Sequence, residues 1–410
     1  MDRKVKVLEI NATNTFSTGN IMFGIAEVAK EKGYDVYTAS KYTRQSKELE
    51  NLVNHKDHYL IGSRWENTLA RYFAWYTDIQ DFGPKIGTRK LIKKIKKIKP
   101  DIIHLHDIVG WYIDIGIFFK YLKKINVPVI WTMHCCWGYT GRCIYYDAAK
   151  CYKWKIECNH CPQRNSYPYS KIFDKSRFNY KRKKKLITSI KNINIVTPSE
   201  WLKSEVKESF LKDYPVTVIN NGIDIETFKP RESNFRNAFG LENKKIVLFV
   251  AAAWSERKGL KDALEIAKRL DDDYKVVVVG LSKKQEEKCP DNVISLGKIR
   301  DMKKLTEVYT QADVFVNPTY EDNFPTVNIE AQACGAPVIT YNTGGSGENI
   351  DLRVGEVIEK GNVDEIEKQI KNICKKETDK EELRKFVESN YSKKDKFLDY
   401  IKLYQEVLND

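Results

Sequence analysis

Apolar and polar positions follow two rhythms along the first half of the chain. Short, nearly unbroken apolar runs at Val5–Ile10, Asp35–Ala39, Ile102–Leu105, Val127–Thr132 and Asn194–Thr197 read as strands. Between them, apolar residues recur three and four apart. Asn20–Lys32 carries Ile21, Ile25, Val28 and Ala29 at helical spacing, and Trp111–Lys123 and Trp201–Ser209 keep the same period. Lys90–Lys99 places Leu91, Ile92, Ile95 and Ile98 on one stripe with lysines elsewhere, an amphipathic basic helix. The rhythm then restarts. Lys245–Ala251, Lys275–Val279, Asp313–Asn317 and Pro337–Thr340 read as strands, Leu260–Leu270 and Val327–Ala333 as helices, and Val363–Leu408 as a charged helical tail. Strands made of unbroken apolar runs are buried on both faces, and strands that alternate with helices build parallel sheets. The pattern predicts an α/β protein of two doubly wound parallel-sheet domains.

A length of 410 residues agrees with two domains, because a single core rarely grows past ~250–300 residues. The turn signal Asn220-Asn221-Gly222-Ile223-Asp224 places the boundary near Pro215–Pro230. The expected division is a first domain over 1–215, a second over 216–390, and a last helix, 391–410, returning to the first. Two such domains facing a central cleft would bind ligands at the carboxyl ends of their strands.

Charge sharpens this picture. Residues 1–200 hold 36 basic and 18 acidic side chains, a net +18, whereas 201–410 hold 34 and 38, a net −4. A basic first half calls for an anionic partner: nucleic acid, a membrane surface or a phosphorylated substrate. The helix 90–99 and the run Tyr180–Lys185 carry much of this charge, and Trp65, Tyr72, Phe73, Trp75 and Tyr76 shortly before that helix lie either at an interface or in the core. No apolar run reaches the ~18 residues that a spanning helix needs. The start, Met1–Ile10, reads as a charged lead into a strand rather than a signal peptide. The expected location is cytoplasmic, with a peripheral position on the inner face of the membrane left open.

Four stretches carry more specific information, in this order: Val196–Trp201 (Val-Thr-Pro-Ser-Glu-Trp), Val218–Asp224 followed by Phe228, the pair Lys258-Gly259, and Glu321–Gly335. Together they resemble family 4 of the glycosyltransferases, retaining enzymes of the GT-B fold, and the likeness is strongest over 196–348. The resemblance implies transfer of a sugar from a nucleotide diphospho-sugar to a glycan or lipid-linked acceptor, as in cell-surface polysaccharide synthesis. No catalytic metal is expected: the run Asp271-Asp272-Asp273 closes a helix before a strand and reads as a solvated turn rather than an Asp-x-Asp site for a divalent ion on the diphosphate.

The same resemblance assigns roles. Lys258 is similar to the family's diphosphate-binding lysine, where a fixed cation stabilises leaving-group charge. Glu330 resembles the second acid of the family's Glu-x7-Glu motif, which accepts hydrogen bonds from the ribose diol. Eight positions earlier stands Asp322 rather than glutamate, so the first acid is shortened. The helix start Asn323-Phe324-Pro325-Thr326 would offer amides to a sugar or phosphate, and Ile299 joins the donor side. The family's arginine, five or six positions before Lys-Gly, is replaced by Ala253 and Ala252, leaving Arg257 as its candidate substitute. In the first domain, Gly19 resembles the family's glycine loop and His134 its histidine near the donor sugar, although Cys135 follows where many relatives carry aspartate. Catalytic roles thus fall to Asp322, His134 and Lys258. His104, His106 and Asp107 line the acceptor side or are structural.

Six of the nine cysteines, Cys135 to Cys161, fall within 27 residues. Cys143, Cys151, Cys158 and Cys161 have the spacing Cys-x7-Cys-x6-Cys-x2-Cys inside an aperiodic stretch of about 138–170. The closing Cys-x2-Cys looks like half of a structural zinc site; free thiols and disulfides are the alternatives. A polysaccharide-building subset of the family carries a similar cysteine-rich insert. Epimerases and phosphorylases share the fold, but no pyridoxal-phosphate lysine site and no nucleic-acid-binding motif is identifiable, so nucleic acid is not an expected partner.

Overall fold

A computed structural model describes residues 3–42, 57–80 and 82–409, without the side chains of Phe16 and Ser17. The charged start at Met1 and Asp2 lies outside the described residues. By their contacts the residues form two units, 1–219 with 397–410, and 220–396.

Among its described residues the first unit holds seven strands: β1 (Lys6–Asn11), β2 (Asp35–Lys41), β3 (His58–Ile61), β4 (Ile102–Leu105), β5 (Val129–Thr132), β6 (Ile193–Thr197) and β7 (Val216–Val218). They pair in the order β3-β2-β1-β4-β5-β6-β7, every pairing parallel. Side chains alternate between faces. Leu8, Ile10, Ile103, Leu105, Val129 and Trp131 join the core on one face, beneath Lys85–Ile98 and Ile115–Ile125. Val7, Ile102, Ile130 and Val196 join the opposite core, against Ile25 of the helix Phe16–Glu31 and Phe397, Ile401 and Tyr404 of the helix Lys393–Asn409.

On that second face the central strands turn polar toward their carboxyl ends: Val7-Glu9-Asn11, Ile102-His104-His106 and Ile130-Thr132-His134. The C-terminal helix meets this polarity with two tyrosines. His104 lies between the Tyr404 hydroxyl, 2.8 Å from Nδ1, and the Thr132 hydroxyl, 2.8 Å from Nε2. The Tyr400 ring lies tilted against the same ring at 5.3 Å, and its hydroxyl accepts from Thr132 at 3.4 Å.

The second unit holds β8 (Lys245–Val250), β9 (Tyr274–Val279), β10 (Val293–Ser295), β11 (Val314–Asn317), β12 (Val338–Tyr341) and β13 (Glu356–Ile358). Their order is β10-β9-β8-β11-β12-β13, again all parallel. One face carries the helices Leu260–Arg269 and Val363–Cys374, and the other carries Met302–Gln311, Thr326–Ala333 and Lys380–Tyr391.

Several boundaries differ from the sequence pattern. The helix read from Trp111 begins at Ile115, because Gly110 and Trp111 both take positive φ and Asp114 caps it through the Ile117 amide at 2.9 Å. The basic helix starts earlier than Lys90, at Lys85. The long tail is three helices, broken by the capping residues Asp379 and Ser392. The run Tyr180–Lys185 is not a uniformly solvated charge: in the helix Ser176–Ile187, Tyr180 and Lys183 are buried, and the Lys183 ammonium donates to the Trp137 carbonyl at 2.6 Å. Among the described residues, no helix is long and apolar enough to cross a membrane.

Removing the Tyr404 hydroxyl strands the buried His104. Tyr404→Phe is expected to cost about 1–3 kcal/mol in chemical denaturation, and Tyr400→Phe, whose hydroxyl bond is longer, distinctly less.

Candidate functional site

In each unit the strand order reverses direction at its centre, between β1 and β4 in the first and between β8 and β11 in the second. Crossovers leave these central strands on opposite faces, which opens a crevice at their carboxyl ends.

In the second unit two loops meet there. After β8 the chain makes a single 3₁₀ turn, Glu256–Lys258, and stops at Gly259 with φ of 72°. A Cβ at Gly259 would stand 1.9 Å from the Pro318 carbonyl oxygen, so glycine is required for this turn to lie on the segment after β11. The Arg257 carbonyl accepts from the Tyr320 amide at 2.8 Å and the Thr319 hydroxyl at 3.3 Å. Lys258 and Asp322 are thereby brought together, Nζ to Oδ2 at 2.6 Å, both partly buried. Gly344 fits as closely on the other side, since a Cβ there would lie 1.9 Å from the Asp322 carbonyl. Arg257 turns toward the loop: its guanidinium donates to the Glu321 carbonyl at 2.6 Å and so braces the residue before Asp322. Ala252 and Ala253 stand exposed.

Behind Asp322 the chain runs through buried Asn323, Phe324 and Pro325 into the helix Thr326–Ala333. The Asp322 carboxylate accepts from the Phe324 amide at 3.4 Å. Glu330 lies one turn along, half-buried, and accepts from the Tyr309 hydroxyl at 3.2 Å. Burial pushes its carboxyl up to about 7, against the pull of its hydrogen bonds from Thr326 and Tyr309. Ile299 follows β10 and packs on the same core as Phe324 and Ile329.

Sequence reasoning passed over what holds this helix in place. Asn328 is buried; its amide accepts from Asn317 at 2.8 Å and donates to the Ser346 carbonyl and to Asn349, both at 3.1 Å. Gln332 donates to the Asn349 carbonyl at 2.7 Å and accepts from the Asp351 amide at 2.8 Å. Asn349 donates to the Pro325 carbonyl at 2.9 Å. Only the density of amide side chains in an otherwise apolar stretch signals this network.

In the first unit Gly19 sits in the first turn of the helix that follows β1. A Cβ there would lie 2.7 Å from the Asn14 main chain, so the glycine serves a close approach within its own loop. His134 lies two residues past β5, half-buried, with Nε2 3.3 Å from His106 Nδ1 and the rings nearly parallel. His106 Nε2 in turn lies 3.2 Å from a Glu9 carboxylate oxygen. Burial pushes His106 well below the usual imidazole range and Glu9 well above the usual carboxylate range, so this pair is a hydrogen bond between neutral groups. Burial also lowers His134, with Asp107 opposing it. Asp107 is raised by its own burial and takes the Cys135 thiol at 3.7 Å. His106, Asp107, Met133, His134, Cys135 and Trp137 line a small open recess. Glu9, which the apolar pattern hid inside β1, is the anchor of this row.

Glu9, His104 and His106 also place three metal-ligating atoms within 4.8 Å of one another. Both ring nitrogens of His104 are already engaged by Tyr404 and Thr132, so hydrogen bonding accounts for the cluster.

The two halves match two family models in turn. Residues 20–227 match the model for Glycosyltransferase Family 4, and residues 231–393 match that for glycosyl transferases group 1. The chain is 25% identical over 268 residues to WcaC of Escherichia coli (strain K12), named for glycosyl transfer in colanic acid biosynthesis, covering 63% of this chain and 64% of that one. It is 28% identical over 222 residues to CapM of Staphylococcus aureus, named as a capsular polysaccharide biosynthesis glycosyltransferase, covering 48% and 58%. The chain therefore spans less than two thirds of the length of these relatives. Among solved structures, sucrose-phosphate synthase from Thermosynechococcus elongatus matches with a TM-score of 0.71 at 15% identity, over 99% of this chain and 100% of that one. Anabaena Alr3699/HepE, solved in complex with UDP-glucose, matches with a TM-score of 0.68 at 14% identity, over 98% and 99%. At such identities the structural likeness bears on the fold alone, which is of the GT-B class. With the first of the family models covering half of its residues, the chain belongs to glycosyltransferase family 4.

Proposed function

We propose that this chain is a retaining glycosyltransferase that moves a sugar from a nucleotide diphospho-sugar to a glycan or lipid-linked acceptor in cell-surface polysaccharide synthesis. The observation that carries this reading is the Lys258–Asp322 pair at the strand-order switch of the second sheet, with Glu330 one turn into the helix that follows. Binding of UDP-glucose by a protein of the same fold agrees with it. Lys258 exchanges Asp322 for the diphosphate and stabilises the charge that grows on the leaving oxygen. Asp322 is then released to accept from hydroxyls of the donor sugar, and the Glu330 carboxylate accepts both hydroxyls of the ribose.

Retention needs no protein nucleophile here. The bond from the anomeric carbon to the diphosphate breaks through an oxocarbenium-like state, the acceptor oxygen attacks from the same face, and the departing phosphate oxygen takes the acceptor's proton. The protein supplies position and electrostatics. Arg257 acts as a positioning residue for the Asp322 loop, and His134 and Asp107 serve the sugar or the acceptor side.

The basic first half fits a membrane-bound acceptor. On the helix Arg64–Thr77, Trp65 is 61% exposed and Leu69 57%, with Tyr72, Phe73 and Tyr76 also exposed, whereas Trp75 packs beside Trp111. Lys85 and Arg182 stand over the Phe82 ring at 4.9 and 4.8 Å, mixing cations with aromatics as an interfacial surface does.

Three experiments test this reading. Lys258→Ala is expected to lower turnover by roughly 10²–10³-fold, and Arg257→Ala by less; near-wild-type turnover in both sinks the assignment. Because the carboxylate form of Glu330 binds the diol, donor affinity should fall as pH drops through about 7, by up to roughly tenfold per unit, and Glu330→Gln should flatten that step in calorimetric titrations. The protein should sediment with anionic phospholipid vesicles at low salt and detach at high salt; equal sedimentation with neutral vesicles contradicts an electrostatic membrane contact.

A further inference from the structure

The segment between Gly138 and Ser176 has almost no regular structure, a single turn at Lys153–Lys155 among the described residues. Yet part of it is buried like a core: Tyr139, Arg142, Tyr146 and Trp154 are each at most 1% exposed. Hydrophobic contact alone does not explain why so long an irregular stretch is ordered, since each residue fixed costs ~1–2 kcal/mol of conformational entropy.

Its cysteines converge. Cys143, Cys151, Cys158 and Cys161 all line one small pocket with Gly141 and Trp154. Cys143 and Cys161 are hydrogen-bonded to each other. Main-chain amides point at two of the sulfurs: Gly141 donates to Cys158 Sγ at 3.1 Å, and Gln163 donates to Cys161. Position 141 admits only glycine, because a Cβ would stand 2.6 Å from the Ser176 carbonyl and 2.8 Å from Cys158 Cβ. The buried Arg142 lines the same pocket. The four sulfurs are arrayed around the pocket and not drawn to a point, since the group of ligand atoms within 4.8 Å among the described residues is Glu9, His104 and His106.

We propose that Cys143, Cys151, Cys158 and Cys161 bind one structural zinc ion. Four thiolates complete a tetrahedral shell and leave no open position, so the ion does no chemistry on substrate. Binding releases the thiol protons to solvent. The resulting net charge of about −2 falls where Arg142 and Lys183 already sit. The site clips together a loop whose far end reaches the carboxyl edge of β4. There the Tyr167 ring stands edge-on to Trp111 at 5.3 Å, and the Arg142 guanidinium holds the Pro168 carbonyl and Asp78.

The test uses the full chain, purified with reductant and without chelator, and reads metal directly, so it is independent of any transferase activity. Elemental analysis should give about one zinc per chain, and a mercurial thiol reagent should release it to a chromogenic chelator. Cys158→Ser with Cys161→Ser should abolish zinc and lower the melting temperature, whereas Cys289→Ser with Cys374→Ser should retain the metal. If the first pair of changes prevents folding, the wild-type zinc content and release still decide. Fewer than ~0.2 zinc per chain in soluble wild-type protein overturns the proposal. Nine reactive thiols would then mean free cysteines, and thiols that appear only on reduction would mean disulfides.

Discussion

The Gly259 turn and the Pro318 carbonyl approach so closely that no side chain fits between them, and the Lys258–Asp322 pair depends on that contact. A cation and a carboxylate on separate loops would ordinarily spend most of their time in water, because an exposed pair gains little against side-chain entropy. Here the Tyr320 amide and the Thr319 hydroxyl both bond the Arg257 carbonyl and fix the two loops against each other. The amide network of Asn328, Gln332 and Asn349 does the same for the helix behind them. The pair is therefore a product of rigid backbone, which is the condition for electrostatic preorganisation.

The first unit solves a different problem. A strand buried on both faces ordinarily excludes charge, yet Glu9, His104 and His106 are fully buried. Their neutrality makes this tolerable, and the Tyr404 hydroxyl of the last helix bonds His104. The polarity grows along each central strand toward its carboxyl end, so the same row that needs covering at its base carries His134 into the open recess at its tip.

How much of this was legible follows from the same physics. The central strands stood out because burial on both faces demands unbroken apolar runs, as in Ile246–Val250 and Val276–Val279. The edge strands His58–Ile61, Val216–Val218, Val293–Ser295 and Glu356–Ile358 did not, being three or four residues long and only partly buried. The helix Arg64–Thr77 was hidden because its exposed face is the aromatic one, with small Ala70 and Ala74 turned inward. Lys258, Asp322 and Glu330 were found through motif resemblance, but their partners were not. Tyr309 lies 21 residues from Glu330, and Tyr404 lies 300 from His104, distances over which a local pattern carries no information.

That last separation has a consequence for synthesis. Residues 220–396 emerge from the ribosome before Tyr400 and Tyr404 exist, and their unit has all of its own strands by then. The first unit, although made earlier, must wait with Glu9 and His104 incompletely partnered until the final helix arrives to cover them. The unit that begins the chain is thus the later to reach its finished core, reversing the usual vectorial order of domain folding.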